Sequence, residues 1–240
     1  MRDEIINYAN RHNIQAFKPK AVLFDMDGVL FNSMPNHAKS WHKSMASFGL
    51  DMSPEEAYTY EGMRGVETIK LIARRQWGRE ISDDEAAKMY EVKSETYRQC
   101  PKAEKMEGVE PLMRKIKAEG MKIVIVTGSG QHSLLDSLET EFPGLVSRDL
   151  IVTSFDVSRG KPNPEPYLRG LEKAGIRPEE GIVIENAPLG VRAGVAAGIF
   201  TIAVNTGPLP DVALAREGAD IIMPSMTALN DAWDSIFANI

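Results

Sequence analysis

Two carboxylates one residue apart, Asp25 and Asp27, follow the apolar run Ala21–Phe24. In an extended segment residues i and i+2 point the same way, so both acids can face one pocket at a strand end. Gly28 follows where the chain must turn. Like charges this close are costly unless a cation or a proton is shared between them. The spacing therefore suggests a metal site or an acid/base pair. Three more polar groups follow in the same manner: Thr127-Gly128-Ser129 after Met121–Val126, Asp156 onward to Lys161, and Glu185-Asn186 after Gly181–Ile184. Ligands of open α/β sheets bind beyond the carboxyl ends of the strands, so these segments are expected to converge.

Their chemistry is coherent. One carboxylate can attack phosphorus to give an aspartyl-phosphate. A second can protonate the leaving oxygen and then deprotonate a water. The Thr127 hydroxyl and the Lys161 ammonium can stabilise charge on the phosphoryl oxygens. Mg²⁺ prefers oxygen ligands, which Asp25, a backbone carbonyl and Asn186 would supply, with Glu185 directly or through water. Each piece alone has an ordinary alternative: a solvated Asp-x-Asp turn, a strand end and helix cap at Thr127 and Ser129, a surface Lys161, an N-cap pair at Glu185-Asn186. All of these alternatives holding together, each at a strand end, is much the harder case.

The elements that must position these groups can be read from periodicity. Residues 1–19 predict a short amphipathic helix. Strands are expected at 20–24, 121–126, 150–152, 181–184 and 200–204, with a last short one at Ile221-Ile222. From Pro35 the spacing turns helical through His37, Trp41, Met45 and Phe48 to Gly49. Ser53-Pro54-Glu55-Glu56 opens a second helix. Glu61-Gly62-Met63-Arg64-Gly65 interrupts, a helix then runs to Trp77, and Ser82 opens another carrying Met89, Val92 and Tyr97. Residues 34–105 thus read as an inserted helical-bundle cap, with 1–33 and 106–240 as the catalytic core. After Gly108 helix and strand alternate: helices are expected through Leu112 and Ile116, through Leu134, Leu135 and Leu138, after Pro164, through Val191 and Val195, and from Asp211 to Glu217. Strands apolar on both faces and alternating with helices predict an α/β, doubly wound parallel sheet. Trp41, Met45 and Phe48 are core stripe, and His42 and His132 are surface or interface residues.

Bulk properties narrow the classes of partner. The net charge is −6, from 28 basic and 34 acidic residues, and no Lys/Arg-rich block occurs; nucleic acid is not expected as a partner. No apolar run approaches the roughly 20 residues needed to span a bilayer, so no membrane is expected, and the N-terminal residues do not read as a secretory signal. A single cysteine, Cys100, forbids an internal disulfide and fits the cytoplasm, with a structural thiol as its role. A monomer is the default.

The combination resembles the haloacid dehalogenase (HAD) superfamily, in its β-phosphoglucomutase-like branch with a four-helix cap. The resemblance covers residues from about 20 to 225 and rests on Phe24-Asp25-Met26-Asp27-Gly28-Val29-Leu30, Val126-Thr127-Gly128-Ser129, Gly160-Lys161-Pro162 and Val183-Ile184-Glu185-Asn186-Ala187. It implies a HAD-like Rossmannoid core with strand order 3-2-1-4-5. It also implies Asp25 as nucleophile, Asp27 as acid/base, Thr127 and Lys161 as phosphate clamps, and a Mg²⁺ site of Asp25, the Asp27 carbonyl, Asn186 and Glu185. Many relatives have a second Asp where this chain has Asn186, so the site loses one negative charge.

Mutases of the branch resemble one another in a cap loop with Lys before Gly and Arg three residues after it. Here the loop reads Glu61-Gly62-Met63-Arg64-Gly65, with Arg64 one position early. A glutamate repels the distal phosphate of a sugar bisphosphate, which speaks against a β-phosphoglucomutase-type mutase, the alternative reading. Relatives with Glu at this loop look like inorganic pyrophosphatases. Glu61 is expected either to approach Mg²⁺ on cap closure or to cap the helix near Gly65. His37 either positions Asp27 or lines the interface. The expected substrate is pyrophosphate or another small phosphorylated compound. A dehalogenase is disfavoured by Asp27, and a catalytically dead binding module by the intact set Asp25, Asp27, Thr127 and Lys161.

Overall fold

Strand β1 (Ala21–Phe24) is four apolar residues, all fully buried, with a parallel neighbour on each side. In the computed structural model, which describes residues 2–129 and 138–237, six parallel strands follow the order β3-β2-β1-β4-β5-β6. They are β2 (Lys122–Val126), β3 (Ile151–Val152), β4 (Gly181–Glu185), β5 (Phe200–Val204) and β6 (Ile221–Met223). The expected order of five strands is present, and β6 extends the β5 edge. Leu23 lies in register between Val124 and Val183. Alternation sends Val22, Phe24, Ile123, Ile125, Ile182 and Ile184 into one core layer. Leu23, Val124, Val126 and Val183 enter the other. Chain order diverges on either side of β1, which places the expected crevice at its carboxyl end.

Helix α1 (Arg2–Arg11) packs Ile5 and Tyr8 onto the first of those layers, and the Tyr8 hydroxyl donates to the Gly198 carbonyl at 2.8 Å. Between β1 and the next core helix come α2 (Met34–Ser47), α3 (Pro54–Thr59), α4 (Gly65–Trp77) and α5 (Asp83–Arg98). The α3 start is the expected one: Glu56 N donates to Ser53 Oγ, and Glu56 returns its carboxylate to Ser53 N, a capping box worth about 1 kcal/mol. These helices bury Trp41, Met45, Leu50, Met52, Ile69, Ile72 and Met89 in a core of their own. One expectation on α5 is corrected. Its buried face carries Ala86, Met89 and Lys93, while Val92 is exposed; the apolar stripe is interrupted by a lysine.

Helix α6 (Val109–Ala118) covers the first face of the sheet, and α7 (Glu165–Ala174) and α8 (Pro188–Ala196) cover the second. Helix α9 spans Asp211–Ala215, shorter than expected. A final helix, α10 (Met226–Phe237), is absent from the sequence reading, although Met226, Leu229, Trp233 and Ile236 fall at helical spacing and are buried. It packs beside α6, and Trp233 Nε1 donates to the Glu119 carboxylate at 3.2 Å. The expected helix through Leu134 and Leu135, and His132, lie outside the described residues; Leu138 is buried.

Candidate active site

Asp25 leaves β1 as the ladder ends, its own N–H still donating to the Ile184 carbonyl at 3.0 Å. The turn after Asp27 needs Gly28. Its φ is +82°, and a Cβ there would sit 2.1 Å from Asn186 Nδ2. Asp25 is almost fully buried, and Lys161 Nζ donates to its Oδ1. The same ammonium donates to Glu185 Oε1 at 2.6 Å and the Val126 carbonyl at 3.3 Å. Burial pushes the Asp25 carboxyl well above the usual range; Lys161 opposes this, while Glu185 and Asp27 add to it. Thr127 continues β2, with its N–H on the Val152 carbonyl. Its hydroxyl oxygen accepts from Ser129 N at 3.0 Å, which leaves the hydroxyl proton to donate.

Asp27 has separate partners. Ser33 Oγ donates to its Oδ1 at 2.6 Å, and His37 Nε2 lies 3.3 Å from the same oxygen. Burial raises the Asp27 carboxyl, but His37, Ser33 and Lys93 outweigh it and bring it down to about 2. His37 Nδ1 faces Lys93 Nζ at 2.8 Å. Burial and then Lys93 hold His37 below its ordinary value against the pull of Asp27, so the ring is neutral, with Nδ1 accepting and Nε2–H donating. Lys93 is buried with its ammonium 5.1 Å from the ring centres of both Trp41 and Tyr97. Burial pushes its ammonium down to about 8. Of the two readings of His37, the geometry selects contact with Asp27.

The loop after α3 brings Glu61 across the strand ends. Asn186 Nδ2 donates to Glu61 Oε2 at 3.0 Å. Burial, followed by Asp25, Glu185 and Asp27, pushes the Glu61 carboxyl well up. Helix α4 has Arg64 as its N-cap with no side-chain hydrogen bond, so Glu61 does not cap it. The cavity beneath the loop measures about 110 Å³ and is lined by Asp25, Asp27, His37, Glu61, Lys93 and Ser129 among others. Gly128 also lines it, close against the Gly62 carbonyl.

Two expected site residues are placed elsewhere. Arg64 is exposed, lies outside the cavity and donates from Nη1 to the Ser158 carbonyl at 3.0 Å, with its stem against Gly160. Glu185, expected near Mg²⁺ directly or through water, has both oxygens committed in this structure: Oε1 takes Lys161 and the Tyr167 hydroxyl at 2.7 Å, and Oε2 takes the N–H groups of Asn186 and Ala187. With four donors committed to two oxygens, Glu185 anchors Lys161 instead. Lys93 and Tyr167 are site residues that the sequence reading missed. The signal for Lys93 was available, since it falls four residues after Met89 and four before Tyr97; Tyr167, on α7 close behind the Gly160-Lys161-Pro162 segment, carried no such signal.

A Mg²⁺ site can be tested on buried atoms left without partners. Asp25 Oδ2, Glu61 Oε1 and Asn186 Oδ1 are all buried and make no hydrogen bond. They come from three separate segments, and all are hard oxygen donors. Orphaned acceptors cost about 1–3 kcal/mol each, so three at one place ask for a cation. Among the described residues no three His, Cys, Asp or Glu side chains form a metal-holding group by themselves; an amide stands in for one carboxylate. The residues present fit Mg²⁺.

Comparison with known proteins agrees with this geometry. The family model of haloacid dehalogenase-like hydrolases matches residues 22–204. Hexitol phosphatase A of Escherichia coli is 32% identical over 186 residues, covering 78% of this chain and 83% of that protein. A phosphorylated carbohydrates phosphatase of Thermotoga maritima is 27% identical over 217 residues, covering 88% of this chain and 97% of that one. The solved structure of a Bacteroides vulgatus protein, named as a candidate beta-phosphoglucomutase, superposes with a TM-score of 0.95 at 53% identity over 98% of this chain and 96% of its own. With four polar strand ends meeting as the motifs require and a family model spanning most of its length, this chain belongs to the haloacid dehalogenase-like hydrolases, in their β-phosphoglucomutase-like phosphatase branch.

Proposed function

We propose that the chain is a Mg²⁺-dependent phosphohydrolase that works through an aspartyl-phosphate and that its substrate is inorganic pyrophosphate. The observation that carries this reading is the position of Glu61, hydrogen-bonded to Asn186 with its second oxygen buried and unpartnered beside the orphaned oxygens of Asp25 and Asn186. Residues 34–105 act as the cap and residues 1–33 and 106–240 as the core. Family members generally use Mg²⁺. Asp25, the Asp27 carbonyl, Asn186 and Glu61 would hold it. Bound there, the ion neutralises charge on the phosphoryl group and lowers the carboxyl of Asp25.

Asp25 attacks the phosphorus, forming its O–P bond as the bond to the leaving phosphate breaks. Asp27, steadied by Ser33 and His37, is ionised in the free site, at about 2, so the proton it passes to the leaving oxygen is one that arrives with the protonated substrate. It then takes one from the water that attacks the aspartyl-phosphate, releasing Asp25 and a second phosphate. Lys161 and the Thr127 hydroxyl face the charge that spreads over the equatorial oxygens. Lys93, which also lines the cavity, would supply positive charge to a leaving group that is itself anionic.

Cavity size supports a compact substrate. The cavity measures about 110 Å³. Pockets for larger organic ligands run about 300–1,000 Å³. The relatives' names favour a second reading, a sugar-phosphate phosphatase, and the β-phosphoglucomutase-type mutase stands behind it. Both would need Glu61 to withdraw. The lone thiol Cys100 supports a reducing compartment such as the cytoplasm, and we take a monomer as the working unit.

The test is phosphate release from pyrophosphate, hexose phosphates and nucleotides with and without Mg²⁺. Pyrophosphate is expected to lead in kcat/KM by at least about tenfold, or about 1.4 kcal/mol of transition-state stabilisation. Asp25→Ala should release no phosphate above background. A lead for hexose phosphates, or parental activity in Asp25→Ala, sinks the proposal.

A further inference from the structure

Beneath the site, on the side away from the cavity, Tyr167 is fully buried and its hydroxyl donates to Glu185 Oε1 at 2.7 Å. That oxygen also receives Lys161 Nζ, at 2.6 Å. The other carboxylate oxygen is fixed by two backbone N–H groups. Glu185 has no room to turn, because a Cβ at Gly190 would already lie 1.8 Å from Oε1. The ring of Tyr167 also lies under the Lys161 ammonium, 5.1 Å from Nζ to its centroid. Lys161 is thus held from below twice, through the hydroxyl by way of Glu185 and through the π face directly.

On the phosphohydrolase reading above, we propose that Tyr167 is a positioning residue: by sharing Glu185 Oε1 with Lys161, it keeps the ammonium turned toward Asp25 and the incoming phosphoryl group. Lys161 divides its three protons among Asp25, the Val126 carbonyl and Glu185. Without the tyrosine hydroxyl, Glu185 Oε1 keeps one donor only and draws the ammonium toward itself. Charge meant for the phosphoryl oxygens is then spent on the wrong carboxylate. The fully buried ring explains why an aromatic residue stands here; the hydroxyl is the part that reaches the chemistry.

Tyr167→Phe removes only that hydroxyl and is tested beside Tyr167→Leu, which also removes the ring. The probes are pyrophosphate turnover and calorimetric binding of inorganic phosphate in the presence of Mg²⁺, below the melting temperature of every variant. Tyr167→Phe is expected to lower kcat about tenfold and to weaken phosphate binding by a similar factor. Its Mg²⁺ activation constant should stay within about twofold of the parent, because none of the three orphaned oxygens contacts Tyr167. Tyr167→Leu should lose more of both. A purely structural tyrosine would lower the melting temperature yet leave phosphate affinity parental in Tyr167→Phe, and that result overturns the proposal. If the parent binds phosphate but hydrolyses no pyrophosphate, the substrate reading fails while the phosphate titration still decides the role of Tyr167. A parent that binds no phosphate overturns both.

Discussion

Glu185, buried, and Glu61, partly buried, are both acids near the same catalytic aspartate, yet their surroundings are opposite. Glu185, at the end of a sheet strand, receives four hydrogen bonds, one of them from a lysine. Glu61, in a loop between helices, receives one from an amide and keeps an oxygen with none. The sheet side is largely settled before any ligand arrives, because backbone ladders and a packed tyrosine leave, among its described site residues, only Asp25 Oδ2 and Asn186 Oδ1 buried without a partner. The helical side keeps a buried acceptor without a partner. A half that orients the reacting group faces a half whose one free oxygen is left for a cation.

Removing the unsettled acid is the strongest way to break this contrast. Glu61→Ala should cost about 100-fold in kcat/KM on pyrophosphate and raise the Mg²⁺ activation constant, with far less loss on a bulkier phosphoester. Equal losses on both substrates would show that Glu61 does not select. Lys93→Met comes next and sharpens the contrast, because activity and stability should move in opposite directions. Turnover is expected to fall about tenfold. Stability at neutral pH should rise by about 3 kcal/mol, since burial pushes the ammonium down from 10.5 to about 8. The sign follows from proton counts: between those two values the unfolded parent binds more protons than the folded one, so the parent gains stability as pH rises and the advantage of Lys93→Met shrinks. Urea unfolding at neutral and alkaline pH measures it, and an advantage that grows with pH would refute it. Arg64→Ala should have the smallest effect, about a threefold rise in KM with kcat unchanged, because its guanidinium meets an exposed carbonyl outside the cavity.

The residues at strand ends were readable in the sequence because an apolar run followed by a carboxylate has few uses in a parallel sheet. Asp25, Thr127 and Lys161 all lie where that reading put them. Glu185 obeyed the same pattern but serves another purpose. The difference lies in Tyr167, on a different helix, and no spacing within β4 carries that information. Lys93 was hidden for a related reason: a lysine in a charged helix reads as solvent-facing unless its exact turn is compared with Met89 and Tyr97. Arg64 and Glu61 are close in one loop and point to different places. The direction of a loop side chain depends on backbone torsions that composition does not encode. The last helix was missed although its periodicity was present, and its buried Trp233 completes the first core layer.

The hydrogen bond between Asn186 and Glu61 has a consequence for how this branch diverges. The two positions are not separate departures from the mutase pattern, one in the fourth motif and one in the cap loop. The amide offers a donor 3.0 Å from a carboxylate oxygen. An aspartate at 186 would offer no donor, and two carboxyl groups would face each other at that distance, needing a shared proton or cation between them. The two positions are therefore coupled through one hydrogen bond, and substitutions at them should not be additive in their effect on Mg²⁺ activation.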